Sequence, residues 1–161
     1  MPRNNITIDV QIHDDRWDSC LTDFSLEKLI NKAVEIEKCD HFELSICFTN
    51  DAEIQKLNKD YRDKDKPTNV LSFPNEPLSD KPDRQILLGD IIFSIDTIEK
   101  EANEQGKLFA DHLSHLTIHG FLHLLGYDHI DQEQAQQMES QEIKILSLLG
   151  MHNPYEADEK C

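Results

Sequence analysis

The sequence predicts an α/β fold, with α+β as the near alternative: a single mixed β-sheet packed with helices. Segments of strand character alternate with segments of helical period over the first two thirds of the chain, and the last third carries helical periodicity alone. A chain of 161 residues, 38% of them hydrophobic, is also the size of one domain and can bury one continuous core. A single domain over residues 1–161 is therefore expected, with a flexible tail after about residue 153.

Each element has its own signal. Ile6, Ile8, Val10 and Ile12 alternate with polar residues, which predicts a strand with one buried face. Leu26, Leu29, Ile30, Ala33, Val34 and Ile36 recur at helical spacing before Cys39. Residues 42–49 are rich in β-branched and aromatic side chains, and Asn50 or Asp51 follows as the N-cap of a helix carrying Ile54 and Leu57. The charged run after Tyr61 and Pro67 end that helix, and residues 70–73 give a short strand stopped by Pro74. Residues 75–85 read as an exposed loop. Residues 87–95 are nearly continuously apolar, as a strand buried on both faces inside the sheet would be.

Asp96 and Glu99 have capping-box spacing, so a helix is expected to start there and run to about Gly106. A second helix covers about 109–125. Asp131 with Gln134 repeats the cap logic for a last helix, which carries Ala135, Met138, Ile145, Leu146 and Leu149 along one side and stops at Gly150. The chain has no internal repeat, low-complexity tract or dividing linker.

The formal net charge of −16 argues against a surface built for nonspecific attraction to nucleic acid or anionic membrane. A local basic patch can still act against that sign, because screening limits charge effects to about 8 Å at physiological ionic strength. Cys20, Cys39, Cys47 and Cys161 form no CxxC pair, so reduced thiols are expected, with Cys47 in a buried strand. The first residues lack the basic start and apolar run of a signal peptide, and no segment approaches the ~20 apolar residues of a spanning helix. A soluble, cytoplasmic protein is expected.

The most informative stretch runs from His119 to His129. His119 and His123, four residues apart on a helix, lie one turn above each other and can present two imidazoles to one ion. Gly126 can take a left-handed conformation that ends the helix and turns the chain back, letting His129 complete the set. This marks the helix in the C-terminal third as the metal-binding one. Three protein ligands leave a fourth position open, as in catalytic zinc sites. The alternative, ordinary packing histidines, is weak for three at this spacing. His115 and His112 lie farther back on the same helix and read as surface histidines, supporting groups or an extra ligand.

The pattern HxxxHxxGxxH coincides with that of the zinc proteases, HExxHxxGxxH, except at its second position, where Gly120 stands in place of the glutamate base. Peptidase activity by that mechanism is therefore not expected. Asp128 could orient a histidine or accept a proton, although an aspartate before a turn is more often a turn residue.

These residues resemble the YbeY-type metal-dependent endoribonucleases, which act as ribosomal RNA maturation factors. The resemblance rests on residues 115–129, on Tyr61-Arg62 through residues 65–74, and on Leu88-Gly89-Asp90-Ile91, in the family's order. It implies a mixed sheet with helices, one Zn2+ per chain held by His119, His123 and His129, and a catalytic Arg62 near the cleft. It also implies hydrolysis of single-stranded RNA in small-subunit ribosomal RNA maturation and ribosome quality control, with small-subunit proteins as candidate partners. Chemically, the planar fork of Arg62 suits a phosphate, donating two parallel hydrogen bonds. Lys56, Lys59, Lys64, Lys66 and Arg84 alternate with Asp60, Asp63 and Asp65 and read as a solvated charge run. Two other readings stay open: an assembly factor with a structural metal, favoured by the acidic surface, and a zinc hydrolase of other substrates.

Overall fold

The computed structural model describes residues 6–22, 24–39, 42–75 and 86–155. In chain order the elements are β1 (Ile6–Ile12), α1 (Trp17–Cys20), α2 (Leu26–Glu37), β2 (Phe42–Thr49), α3 (Asp51–Arg62), β3 (Val70–Pro74), β4 (Ile86–Ser94), α4 (Ile95–Gln105), α5 (Phe109–Leu124) and α6 (Gln132–Leu148). The four strands form one mixed sheet in the order β1-β2-β4-β3. β1 with β2 and β2 with β4 are parallel, and β3 runs antiparallel to β4. This is the α/β architecture expected from the alternation of periods.

Strand alternation divides the packing between two faces. Leu44, Ile46, Phe48, Ile91 and Phe93 join the main core with Leu29, Ile30, Val34 of α2, Ile118, Phe121, Leu122 of α5 and Met138, Ile145 of α6. Ile92 and Leu71 instead meet Ile54 of α3, with Cys47, Leu57 and Phe73 around them. β4 is buried on both sides as its apolar run demands. Cys20 and Cys47 are free thiols, and Cys47 is half-buried rather than buried because its face is covered only by α3.

Two expected caps form, Asn50 accepting from the Glu53 amide and Asp131 from that of Gln134, and Ser25 caps α2 by accepting from the Lys28 amide. The capping box at Asp96 does not. Helix α4 begins at Ile95 with Ser94 as N-cap. The Asp96 carboxylate is drawn instead to Arg16, at 2.6 Å, and to the Asp51 amide, at 3.0 Å, so tertiary partners outcompete the local one. Strand β1 also departs from expectation. Val10 and Ile12 are 43% and 45% exposed, because β1 is an edge strand whose second half no helix covers. The short helix α1, which has no periodic signal, places Trp17 wholly inside the core, its indole N–H donating to the Thr49 carbonyl at 2.7 Å.

One close approach sets the position of the site. Helix α5 lies against the β3–β4 edge so tightly that a Cβ at Gly120 would stand 3.0 Å from Ile91 Cγ2 and 3.1 Å from Ser72 Oγ. The Ser72 hydroxyl donates to the Gly120 carbonyl at 3.3 Å. At 3.6 residues per turn, His119 and His123 project together to one side of that contact line. Of the loop expected over 75–85, residues 76–85, including Arg84, lie outside the described residues, as do residues 156–161 of the tail with Cys161.

A candidate metal centre in a basic cleft

Helix α5 closes with the Gly126 amide donating to the His123 carbonyl at 3.0 Å and that of Tyr127 to the Leu122 carbonyl at 3.1 Å. Gly126 has φ +110°, a conformation other residues rarely adopt, and it turns the chain back as the spacing predicts. His129 is thereby brought to the two helical histidines. Ring centroids are 4.8 Å apart for His119–His123, 5.0 Å for His123–His129 and 5.7 Å for His119–His129. One ring nitrogen from each lies within 4.8 Å of the others, so the three could hold a metal ion.

The donor set passes a chemical test of that fit. A metal-ligating histidine usually donates its other ring N–H to an acceptor, which fixes the tautomer. Nδ1 of His119 lies 2.5 Å from Glu142 Oε2, and Nδ1 of His123 lies 3.0 Å from the Tyr127 carbonyl. Both rings therefore keep the lone pair of Nε2 for an ion. Burial holds the His123 pKa below its ordinary value, and the neighbouring charges of His119 and His129 act in the same direction. A neutral imidazole is the form a metal binds.

Glu142 is the feature that motif reading does not reveal. It is 0% exposed on α6, between buried Met138 and Ile145. Burial pushes its carboxyl pKa up, but the hydrogen bonds from His115 and His119 outweigh that and hold it at about 2. A charged residue at helical spacing inside an apolar stripe was the signal available in the sequence. His115 does not join the triad; its Nε2 reaches Glu142 Oε1 at 2.8 Å. His112 is paired with Glu101 at 2.8 Å, and Asn69 donates to the same carboxylate at 2.9 Å. Asp128 takes the plainer of its two roles, accepting from the His129 amide at 2.7 Å and shaping the turn.

The histidines open into a cleft of about 970 Å³ that Arg62 also lines. Arg62 is the last residue of α3, and one of its Nη2–H groups donates to the Ser72 carbonyl at 2.8 Å while its guanidinium stands 5.6 Å from the Phe73 ring centroid. Lys64, Lys66 and Lys107 line the same cleft. The charge run is thus more than a solvated loop: its alternation turns Lys64 and Lys66 into the cleft, while Asp65 points back to accept from Gln55 at 3.0 Å. Lys56 and Lys59 do not line it.

Away from the cleft, His13, Cys47 and Glu53 also bring ligand atoms within 4.8 Å of one another. There Nδ1 of His13 lies 2.8 Å from Glu53 Oε1 and 3.5 Å from Cys47 Sγ, and the His13 and Glu53 side chains are each 41% exposed.

A mixed sheet whose covering helix presents two imidazoles, joined by a third from the turn that follows and lined by cations, defines a class of α/β protein with a candidate metal centre in a cleft suited to an anion. No helix among the described residues is long and apolar enough to cross a membrane. The chain belongs to the YbeY family, whose model, described as Endoribonuclease YbeY, matches residues 10–150. The Endoribonuclease YbeY of Agrobacterium fabrum is 44% identical over 96% of this chain and 97% of its own length. That of Alteromonas mediterranea is 50% identical over 83% of this chain and 84% of its own. Among solved structures, the solution structure of TM1509 from Thermotoga maritima superposes with a TM-score of 0.57 at 26% identity, covering 89% of this chain and 92% of that one.

Proposed function

We propose that the chain is a cytoplasmic, zinc-dependent endoribonuclease that cuts single-stranded RNA, in one domain spanning residues 1–161. Its place would be small-subunit ribosomal RNA maturation and ribosome quality control, beside small-subunit proteins. The observation that carries the reading is the convergence of three imidazoles, two of them oriented by hydrogen bonds, on a cleft that Arg62 also lines. The names of the relatives agree with it.

His119, His123 and His129 would hold the metal. An all-imidazole set of three with an open position suits zinc, although imidazole also serves copper, iron and nickel. When bound, the ion supplies Lewis-acid stabilisation of a phosphoryl oxygen and lowers the pKa of a coordinated water. The protein's own contribution is binding and orientation. The hydrogen bond from Arg62 to the Ser72 carbonyl fixes the plane of its fork, leaving other N–H groups for a phosphate oxygen. Charge developing on that oxygen in the transition state is then met by a donor already in place. Lys64, Lys66 and Lys107 hold neighbouring phosphates, which reconciles a polyanionic substrate with a net charge of −16.

The peptidase alternative loses further ground. Gly120 lacks the base, and a side chain there would crowd Ile91 and Ser72. The test of the proposal is cleavage of single-stranded ribosomal RNA by parent and Arg62→Ala protein, with zinc measured by elemental analysis. Cleavage lost in Arg62→Ala with zinc retained supports the enzyme. Bound zinc without cleavage by the parent would instead favour an assembly factor, and equal cleavage by chelated and zinc-loaded parent would overturn metal dependence.

A further inference from the structure

Glu142 lies 23 residues from His119 in sequence and on a different helix, yet its carboxylate is built into the surroundings of the triad. Removing an ionised carboxylate from water is costly unless its lone pairs are matched, and a helix selected for packing alone would carry an apolar side chain between Met138 and Ile145. Here the lone pairs are matched by three donors. Oε2 receives His119 Nδ1, and Oε1 receives both His115 Nε2, at 2.8 Å, and the Tyr155 hydroxyl.

Tyr155 arrives from the segment that follows α6, and that segment is itself pinned. Lys107 Nζ donates to the Pro154 carbonyl at 3.0 Å, and the Tyr155 amide donates to Asn153 Oδ1 at 2.8 Å. The Tyr155 ring meets His115 edge-on with centroids 5.1 Å apart. The His123 ring, by comparison, is oriented by a neutral backbone carbonyl four residues away. The triad therefore has one locally oriented ligand and one whose orientation depends on the C-terminal end of the described chain.

We propose that Glu142 is a positioning residue for His119, and that Tyr155 holds Glu142 in place, so that the C-terminal strap sets the affinity of the metal centre. This rests on the reading of the triad as a metal site. A carboxylate on Nδ1–H fixes the tautomer that leaves Nε2 for the ion, aims the ring and makes that nitrogen a stronger donor. Glu142→Gln keeps the shape and removes the charge. Tyr155→Phe keeps the ring against His115 and removes the hydroxyl.

The experiment is a zinc competition titration against a chromophoric chelator on the full chain, for the parent, His123→Ala, Glu142→Gln and Tyr155→Phe, with visible absorption of the cobalt-substituted forms. The result expected is a zinc affinity about 10- to 100-fold weaker in Glu142→Gln and a smaller loss in Tyr155→Phe, with altered cobalt bands in both. A purely structural role would lower the melting temperature of the metal-free chain and leave the affinity of the folded protein unchanged. Parent-like affinity and cobalt spectra in Glu142→Gln and Tyr155→Phe, with zinc lost in His123→Ala, would overturn the positioning role alone. A parent that binds no zinc would overturn the metal site with it. Should Glu142→Gln fail to fold, Tyr155→Phe decides: weaker zinc binding supports the strap, and unchanged binding overturns it.

Discussion

The histidine triad of the cleft and the His13–Cys47–Glu53 cluster bring potential ligand atoms equally close, within 4.8 Å in both, but they differ in how those atoms are used. In the cleft, His119 and His123 each spend Nδ1 on an acceptor and keep Nε2. In the other cluster Nδ1 of His13 is itself the atom facing Glu53, so the convergence is an exposed hydrogen-bonded pair with a thiol beside it. That thiol is a poor partner for a metal, since burial, then the charges of Glu53 and Asp90, push the Cys47 pKa up to about 11. Proximity alone does not make a site. What distinguishes the two is the pair of hydrogen bonds that orients the His119 and His123 rings and leaves a lone pair on each unspent.

The largest effect that sharpens this contrast is on metal content. His123→Ala should lose bound zinc and RNA cleavage together, while Cys47→Ser should retain one zinc per chain by elemental analysis. A second equivalent present in the parent and absent from Cys47→Ser would break the comparison. Next in size, Arg62→Ala should reduce cleavage by about 10²- to 10³-fold, the usual effect of removing a preplaced donor, with zinc content and thermal unfolding unchanged. Loss of zinc in that variant would show that Arg62 supports the fold of the triad rather than the reaction.

Gly120→Glu restores the peptidase pattern in sequence but sets a side chain into a crowded contact in space. With Ile91 and Ser72 at 3.0 and 3.1 Å from where its Cβ would stand, the substitution should cost about 3 kcal/mol or more in denaturant unfolding. A stable Gly120→Glu protein that hydrolyses peptides would show that α5 can lift from the sheet. The smallest effect expected is at the rim. Lys64→Ala with Lys66→Ala should weaken RNA binding and reduce the dependence of log affinity on log salt by about 1.4, from roughly 0.7 per phosphate contact on a single strand. An unchanged slope would return the two lysines to the solvated surface.

The fold was largely legible because its signals are local. The apolar run of β4 and the helical periods of α2 and α6 are properties of short segments, and each formed where its pattern lay. The readings that failed were those in which a distant group competed. Asp96 was drawn from its capping box by Arg16, 80 residues away, and β1 has the alternation of a half-buried strand at an edge only partly covered. Helix α1 had nothing to announce it, being four residues long with Trp17 as its one buried residue.

For the site, the sequence by itself determined the spacing of His119, His123 and the turn at Gly126, because a helical turn and a left-handed glycine are geometries of the backbone over a few residues. It could not determine what surrounds them. Glu142 meets His119 across 23 residues, Tyr155 meets His115 across 40 and Ser72 meets Gly120 across 48. Those contacts exist only once α5 lies on the sheet with α6 against it. Tertiary packing therefore decided which nitrogen His119 offers, which cations face the cleft and how crowded the position of Gly120 is.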